Sequence, residues 1–280
     1  MHIHAKAIGQ LGKLPPFSPV LTKLMASLAD EDVSFNEIAT TIEKDTVLAG
    51  NVLRLVNSAL YGLRGTVNSV RHAVSLLGLS RIRNTAMSIS LGQLYTKLNA
   101  HPQWSHRQFN MRSTAEAIMA DQLAQHIDAD YPEGGFAAGL LHHLGLLLAA
   151  IAIQAEFDQM RLDYTAGAHL LVECERLRWG FAHTELTGSI LREWNLPTPI
   201  QSAVRTDLPI PSGATPVPLA RLVLASSQLS GRLSIPIQPW MRPAEGLPMD
   251  VFEELGLQDK APLILERFHT EFEATRSFFQ

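Results

Sequence analysis

Residues 34–58 read SFNEIATTIEKDTVLAGNVLRLVNS, and the spacing of their apolar side chains decides the fold class. Phe35, Ile38 and Ile42 recur at intervals of three and four residues, which places them on one face of a helix. Ser34 and Glu37 form an S-x-x-E capping box, in which each side chain satisfies the other residue's backbone N–H. The segment therefore begins with a predicted helix that starts directly after Ser34.

A second helix is predicted to begin at Asp45, a residue type that caps helix N-termini. Its inner face is predicted to carry Leu48, Val52, Leu55, Val56 and Ala59. The segment 61–65, YGLRG, is predicted to end it, because two glycines permit a left-handed exit. Asn57 and Ser58 are predicted to cap the end of this helix and to fix the turn before Val67.

The same helical period continues along the chain. A third helix is predicted to close at Gly78, and the next to open at Ser80 and run towards Leu98. A break follows at 99–102, because Pro102 disfavours helix in the residue before it. Further helices are predicted at about 107–126, 136–154, 156–179, 183–194 and 199–206, with two or three more after the proline-rich loop 208–218. The prediction is an all-α protein with lobes at 1–100 and 101–280.

Composition narrows the function classes. The chain has 280 residues, is 46% hydrophobic and carries a formal charge of −4, so it can bury a large core and has no general attraction to nucleic acid. Arg64, Arg71, Arg81 and Arg83 form a local basic cluster, which is typical of a solvated face. Cys174 is the single cysteine, so no intrachain disulfide forms, which favours a cytoplasmic protein. Cys174 itself is predicted to be a small buried hydrophobe.

The most apolar segment is 134–155, which contains FAAGLLHHLGLLLAA and carries no charged residue. It is long enough for a membrane span, but adjacent histidines and the absence of a basic or aromatic belt favour a buried core helix and no membrane partner. His142 and His143 must find partners there, because an unsatisfied buried polar group costs about 1–3 kcal/mol. They are either a structural pair or the remnant of a metal site.

Residues 14–91, which include NSALYG at 57–62, resemble the first lobe of HDOD domains, the HD-related output domains of bacterial signalling proteins. FAAGLLHHLGLLLA and GFAHTELTGSILREWNLP resemble the second lobe, and the resemblance reaches about Ser230. It implies an N-terminal helical bundle packed on a degenerate HD-type helical bundle.

HD phosphohydrolases bind a divalent metal through a histidine, a histidine-aspartate pair and an aspartate. The resemblance aligns these positions with Arg112, His142-His143 and Ser227, so only His142 is retained. Arg112 places a permanent positive charge beside the metal-binding position, and none of the aligned residues is a carboxylate that could balance the charge of the metal. We therefore expect no catalytic residue and no cofactor; the alternative is a divalent metal held by His142 and His143.

His183 has two interpretations, a structural role at a helix start or a ligand role in the remnant site. If the alignment is right, Arg112 lies within about 6 Å of a histidine ring or of a group that bridges the two rings. Ser227 is expected on the far wall. The cluster is expected to carry positive potential and to attract phosphate, sulfate or a carboxylate.

Three functions remain open at this point. The first is a non-catalytic signal-transduction module whose partner is an unidentified signalling protein. The second is a divergent metal-dependent phosphohydrolase of HD type, acting on nucleotides or phosphate esters. The third is a receptor for a small anion, with Arg112 and the two histidines as its ligands. A nucleic-acid partner is not expected.

Overall fold

The computed structural model describes residues 2–10, 14, 17–28, 32–58, 65–167, 169–211, 213–242 and 244–276. Within these ranges the chain forms sixteen α-helices and no strand, which confirms the predicted all-α class. The first helices are α1 (His2–Ile8), α2 (Pro19–Ala26), α3 (Phe35–Glu43), α4 (Thr46–Val56), α5 (Val70–Leu77) and α6 (Leu79–Tyr95). The others are α7 (His106–Ala124), α8 (Gly135–Leu141), α9 (Leu144–Ala152), α10 (Gln154–Ala166), α11 (Leu171–Trp179), α12 (His183–Glu193), α13 (Thr198–Ala203), α14 (Leu219–Arg232), α15 (Pro248–Glu254) and α16 (Ala261–Arg276).

Helices α2 to α6 pack on one another in the first half of the chain. Helix α7 lies against α8, α14 and α16 and also touches α6, so it joins both halves. Helix α1 packs on α9 and α12 of the second half, where Lys6 pairs with Glu156. The predicted boundary near residue 100 falls between α6 and α7, and the division into two lobes stays a prediction.

The caps predicted from Ser34 with Glu37, from Asp45 and from Asn57 are present, whereas Ser58 Oγ has no hydrogen-bond partner among the described residues. Glu37 N–H donates to Ser34 Oγ at 3.2 Å, and Ser34 N–H donates to Glu37 Oε2 at 3.0 Å. Asp45 accepts from the first N–H groups of α4. Asn57 Nδ2 donates to the carbonyl of Val67 at 2.7 Å, and Val67 N–H donates to Asn57 Oδ1 at 2.7 Å. This amide therefore fixes the turn after α4, as predicted.

Some predicted boundaries are wrong. Helix α6 begins at Leu79 after Gly78, whose φ of 86° makes it the N-cap, so Ser80 does not open the helix. The predicted helix 156–179 is divided by Gly167, which has a φ of 92° and ends α10. The predicted helix 136–154 is divided at His142-His143. Residues 59–64, which include most of NSALYG and of the predicted stop, lie outside the described residues.

The apolar run Pro132–Ala152 is long and apolar enough to cross a membrane by length and composition, but 94% of its most apolar window is buried inside the protein. Leu144 to Ala150 are each fully buried. These facts favour the core-helix interpretation. Cys174 is also fully buried, which confirms its predicted place in the core.

Candidate functional site

Helix α7 carries the two charged residues at the centre of the site. Arg112 and Glu116 are four residues apart and therefore lie on one face of the helix. Both are buried, and Glu116 is fully enclosed. Helix α8 approaches this face so closely that a Cβ on Gly139 would lie 2.6 Å from the carbonyl oxygen of Glu116. Glycine at this position brings the end of α8 next to the Glu116 carboxylate.

The turn between α8 and α9 aims two imidazoles at that carboxylate. The helix breaks at His142-His143, and the free carbonyl of His142 accepts from Thr187 Oγ1 of α12 at 2.9 Å. Gly145 N–H donates to the same hydroxyl at 2.9 Å. A Cβ on Gly145 would lie 2.0 Å from the carbonyl oxygen of His183, so this contact also requires glycine. The two rings lie side by side, with centroids 4.3 Å apart.

Glu116 is the acceptor shared by the whole cluster. His142 Nδ1 lies 2.9 Å from Oε2, His143 Nε2 lies 2.8 Å from Oε1, and Arg112 Nε donates to Oε1. Burial alone would raise the pKa of Glu116. The facing His143 and the Arg112 guanidinium, together with hydrogen bonds from both imidazoles, outweigh burial and hold this pKa well below its usual range. Glu116 is therefore ionised.

The hydrogen-bonded chain extends beyond Glu116 in two directions. His143 Nδ1 lies 2.8 Å from His183 Nε2, and His183 Nδ1 lies 2.7 Å from Oε1 of the fully buried Glu175. Glu175 also accepts from the backbone N–H of His183 at 2.9 Å. At the other end, His142 Nε2 lies 2.9 Å from Thr206 Oγ1. The chain thus runs from Glu175 to Thr206 without a gap.

Two imidazole rings of this hydrogen-bonded chain face each other directly. His143 Nδ1 and His183 Nε2 lie 2.8 Å apart, and a hydrogen bond between them requires that one nitrogen carries the hydrogen and the other accepts it. Burial lowers the pKa of His143 to about 3, so the His143 imidazole is neutral. The Arg112 guanidinium is bonded to the ionised Glu116, so the cluster contains a buried cation and a buried anion in direct contact.

The far side of Arg112 is held by the C-terminal region. Its Nη2 lies 2.6 Å from the carbonyl oxygen and 3.0 Å from Oγ of Ser227, and its Nη1 donates to the carbonyl of Ile235. Arg112 thus reaches the group that bridges His142 and His143, which confirms the predicted geometry, and Ser227 lies on the far wall as expected.

The expected charge of the cluster is wrong. The sequence interpretation found no carboxylate and expected positive potential, whereas the structure brings Glu116 and Glu175 into the cluster. Both were missed, because each occupies a helix position with no motif. One signal was available for Glu116: it stands four residues after Arg112, in the otherwise uncharged run STAEAIMA at 113–120. The bound carboxylate expected near Arg112 is the protein's own.

His183 does not cap its helix. Ala182 is the N-cap residue, and its N–H is satisfied by Glu185 at 3.1 Å. The His183 ring joins the cluster through His143 and Glu175. The structure therefore brings Arg112, His142, His143, His183 and Ser227 together.

The resemblance to HD proteins implies a divalent metal, which the donor set does not fit. In the described residues one group of three could offer ligand atoms, Glu116, His142 and His143, whose donor atoms lie within 4.8 Å of one another. A hard divalent cation prefers several oxygens and an open position for water. Here the set has one carboxylate, both of its oxygens accept hydrogen bonds, and the Arg112 guanidinium is bonded to it.

The basic cluster does not form a patch in the described part of the chain. Arg81 pairs with Glu271, and Arg71 lies 3.6 Å from Glu43. Arg83 is buried, not solvated as predicted, and donates to the carbonyl of Ser27 at 3.0 Å. Arg64 lies outside the described residues.

The described part of the chain is all-helical and contains a buried cluster of histidines. The HDOD domain family matches residues 14–207, so the chain belongs to this family. The match ends before Ser227 and Ile235, which hold Arg112.

Two solved structures are similar to this chain. One is an HDOD domain protein with unknown function from Geobacter sulfurreducens, with a TM-score of 0.78, 19% identity and coverage of 99% of this chain and 97% of that one. Another is a candidate phosphohydrolase from Shewanella amazonensis SB2B, with a TM-score of 0.73, 19% identity and coverage of 99% and 98%. At this identity the likeness shows the fold alone.

An uncharacterized protein of Treponema pallidum (strain Nichols) is 21% identical over 279 residues, which is 98% of this chain and 52% of that protein. The chain therefore spans about half the length of this curated relative.

Proposed function

We propose that this chain is a non-catalytic bacterial signal-transduction output module, cytoplasmic, that acts by binding a protein or a ligand. Membership of the HDOD family supports the signalling role. The observation that carries the proposal is the saturation of Glu116, whose two oxygens accept from Arg112, His142 and His143. The one carboxylate near the histidine pair is thus a structural acceptor. No metal cofactor is needed to satisfy these groups.

The alternative is a metal-dependent phosphohydrolase of HD type; the similar Shewanella amazonensis protein is named as a phosphohydrolase. One observation favours it, the convergence of three donor atoms from Glu116, His142 and His143. The small-anion receptor is less favoured, because the side chain of Arg112 is 6% exposed and all three of its nitrogens already bond protein oxygens.

Metal binding separates the first two functions. MnCl₂ and ZnCl₂ are titrated into the purified wild-type protein by calorimetry, and hydrolysis of bis-p-nitrophenyl phosphate is followed with each metal. We expect neither stoichiometric binding nor metal-stimulated hydrolysis. Arg112→His is the matched variant, since it removes the fixed cation and restores a histidine; it is expected to bind Zn²⁺ more tightly than the wild type. Stoichiometric Mn²⁺ binding with turnover by the wild type would overturn the proposal.

A genetic test addresses the signalling role directly. The double variant Arg112→Met/Glu116→Gln removes the charged pair and the one carboxylate that a metal could use, without leaving a buried charge unpaired. If the module acts by binding, this variant restores the phenotype of a deletion strain to the wild-type level. Failure of the folded double variant to do so would favour the hydrolase.

A further inference from the structure

We propose that the cleft between α6, α7 and α16 is a binding site for a small, uncharged nitrogen heterocycle that carries N–H donors, of purine to nucleoside size. Its volume is about 700 Å³, within the range of small-molecule sites. Nothing in the Glu116 cluster takes part in it, and the proposal does not depend on the proposed signalling role.

The cleft lies on the other face of α7. Thr114, Ile118 and Gln122 line it, and at 100° per residue they project away from the side that carries Arg112 and Glu116. Helix α6 provides the opposite wall and α16 closes one end. A ligand here would touch elements from both halves of the chain at once.

Three buried side-chain oxygens of cleft-lining residues lack hydrogen-bond partners among the described residues. Asn84 and Gln122 are each more than nine-tenths buried, and neither Asn84 Oδ1 nor Gln122 Oε1 has a hydrogen-bond partner among the described residues. Their amide nitrogens make only long contacts, at 3.5 Å to Asp121 and 3.4 Å to Glu271. Ser88 Oγ is also buried without a partner. Terminal amide torsions are soft, so both carbonyl oxygens can turn towards a donor in the cleft.

The charges around the cleft balance, so the ligand is selected by donors and not by net charge. Asp121 and Glu271 are offset by Arg81 and Arg267, and Arg81 is paired with Glu271. Burial, with Glu271 nearby, raises the pKa of Asp121 to about 6, so this carboxyl is still mostly ionised at neutral pH and the charges of the cleft remain balanced. A strongly cationic or anionic ligand would therefore gain little here.

The apolar wall suits a flat ring. Phe35, Leu77, Leu79, Ile118 and Phe136 line the cleft beside the polar groups. An aromatic heterocycle can cover these side chains with its face while its edge donates to the amide oxygens. A purine with exocyclic amines has this combination of flat surface and edge donors.

The test compares two probes that differ only in donors. Binding of 2,6-diaminopurine and of unsubstituted purine is measured by ligand-observed NMR and calorimetry on the full chain. We expect diaminopurine to bind about ten-fold more tightly, the effect of one well-made additional hydrogen bond. Equal binding of both purines, or no binding of either at millimolar concentration, would show that the acceptors bind only water and would overturn the proposal.

Two variants locate the site. Ser80→Trp places a large ring at an exposed position that lines the cleft and is expected to abolish binding. Ser75→Trp makes the same change at an exposed position of α5 that does not line the cleft, and should bind like the wild type. Gln122→Leu should reduce the ratio of the diaminopurine affinity to the purine affinity to about one, and circular dichroism shows whether this variant is folded. Diaminopurine binding that survives Ser80→Trp would refute the location.

Discussion

Glu116→Gln tests the structural role of the buried carboxylate, because the structure allows this change to keep every hydrogen bond while it removes the charge. Oε1 accepts from Arg112 Nε and His143 Nε2, whereas Oε2 accepts from His142 Nδ1 alone. A glutamine with its carbonyl at the Oε1 position retains the first two bonds. Its NH₂ can donate to His142 Nδ1 once that ring moves its own proton to Nε2 and donates to Thr206.

Glu116→Gln is therefore expected to lower the free energy of unfolding through the loss of charge, not through the loss of hydrogen bonds. Breaking a buried ion pair by removing one partner costs about 3–5 kcal/mol, and the retained hydrogen bonds place Glu116→Gln near the lower end, at about 3 kcal/mol. For a chain of this size that corresponds to a drop in Tm of about 6–10 °C. Urea unfolding followed by circular dichroism measures the free energy, and ¹⁵N spectra of the histidine rings report the tautomer of His142.

Arg112→Met supplies the second arm of a double-mutant cycle. Alone it leaves Glu116 without its guanidinium and is also expected to cost about 3 kcal/mol. The double variant Arg112→Met/Glu116→Gln should cost about 2 kcal/mol less than the sum of the two single variants, because neither charge is then left alone. A single-variant cost below about 0.5 kcal/mol, or additive costs in the cycle, would refute the view that this pair holds the cluster together.

Three further predictions concern local features. Gly145→Ala should destabilise the fold by about 3 kcal/mol or more, because its Cβ would lie 2.0 Å from the carbonyl oxygen of His183. Thermal unfolding measures this loss, and Gly50→Ala is the control, because a Cβ at Gly50 meets nothing within 4 Å. Asn57→Ala removes the amide that bonds Val67 twice and should cost about 1–2 kcal/mol in urea unfolding; an unchanged midpoint would contradict the assigned cap. Asp121 has its pKa raised to about 6, so the folded state binds the proton more tightly and stability falls as pH rises from about 4 through 6. Asp121→Asn should therefore be about 1–2 kcal/mol more stable than the wild type at about pH 7 and about as stable as the wild type at about pH 4. The same stability difference at both pH values would contradict the raised pKa of Asp121.

Local sequence predicted the helices and their caps. Ser34, Glu37, Asp45 and Asn57 act on backbone groups within ten residues or fewer, so their roles follow from short-range spacing. The breaks inside two long predicted helices, 136–154 and 156–179, were missed. The break at His142-His143 is stabilised by Thr187, which is 45 residues further along the chain. No pattern within the run 136–154 indicates this partner.

The residues of the candidate site were also predicted only in part. The sequence alone determined that His142 and His143 needed buried partners and, through the resemblance, that Arg112 and Ser227 belonged with them. Only the tertiary structure decided that the partners are Glu116, the ring of His183 and Glu175. The physical reason is that the charge of a buried cluster depends on side chains from several helices. Helices α7, α11 and α12 each contribute charged or titratable side chains, and these residues are far apart in the sequence and come together only when the helices pack.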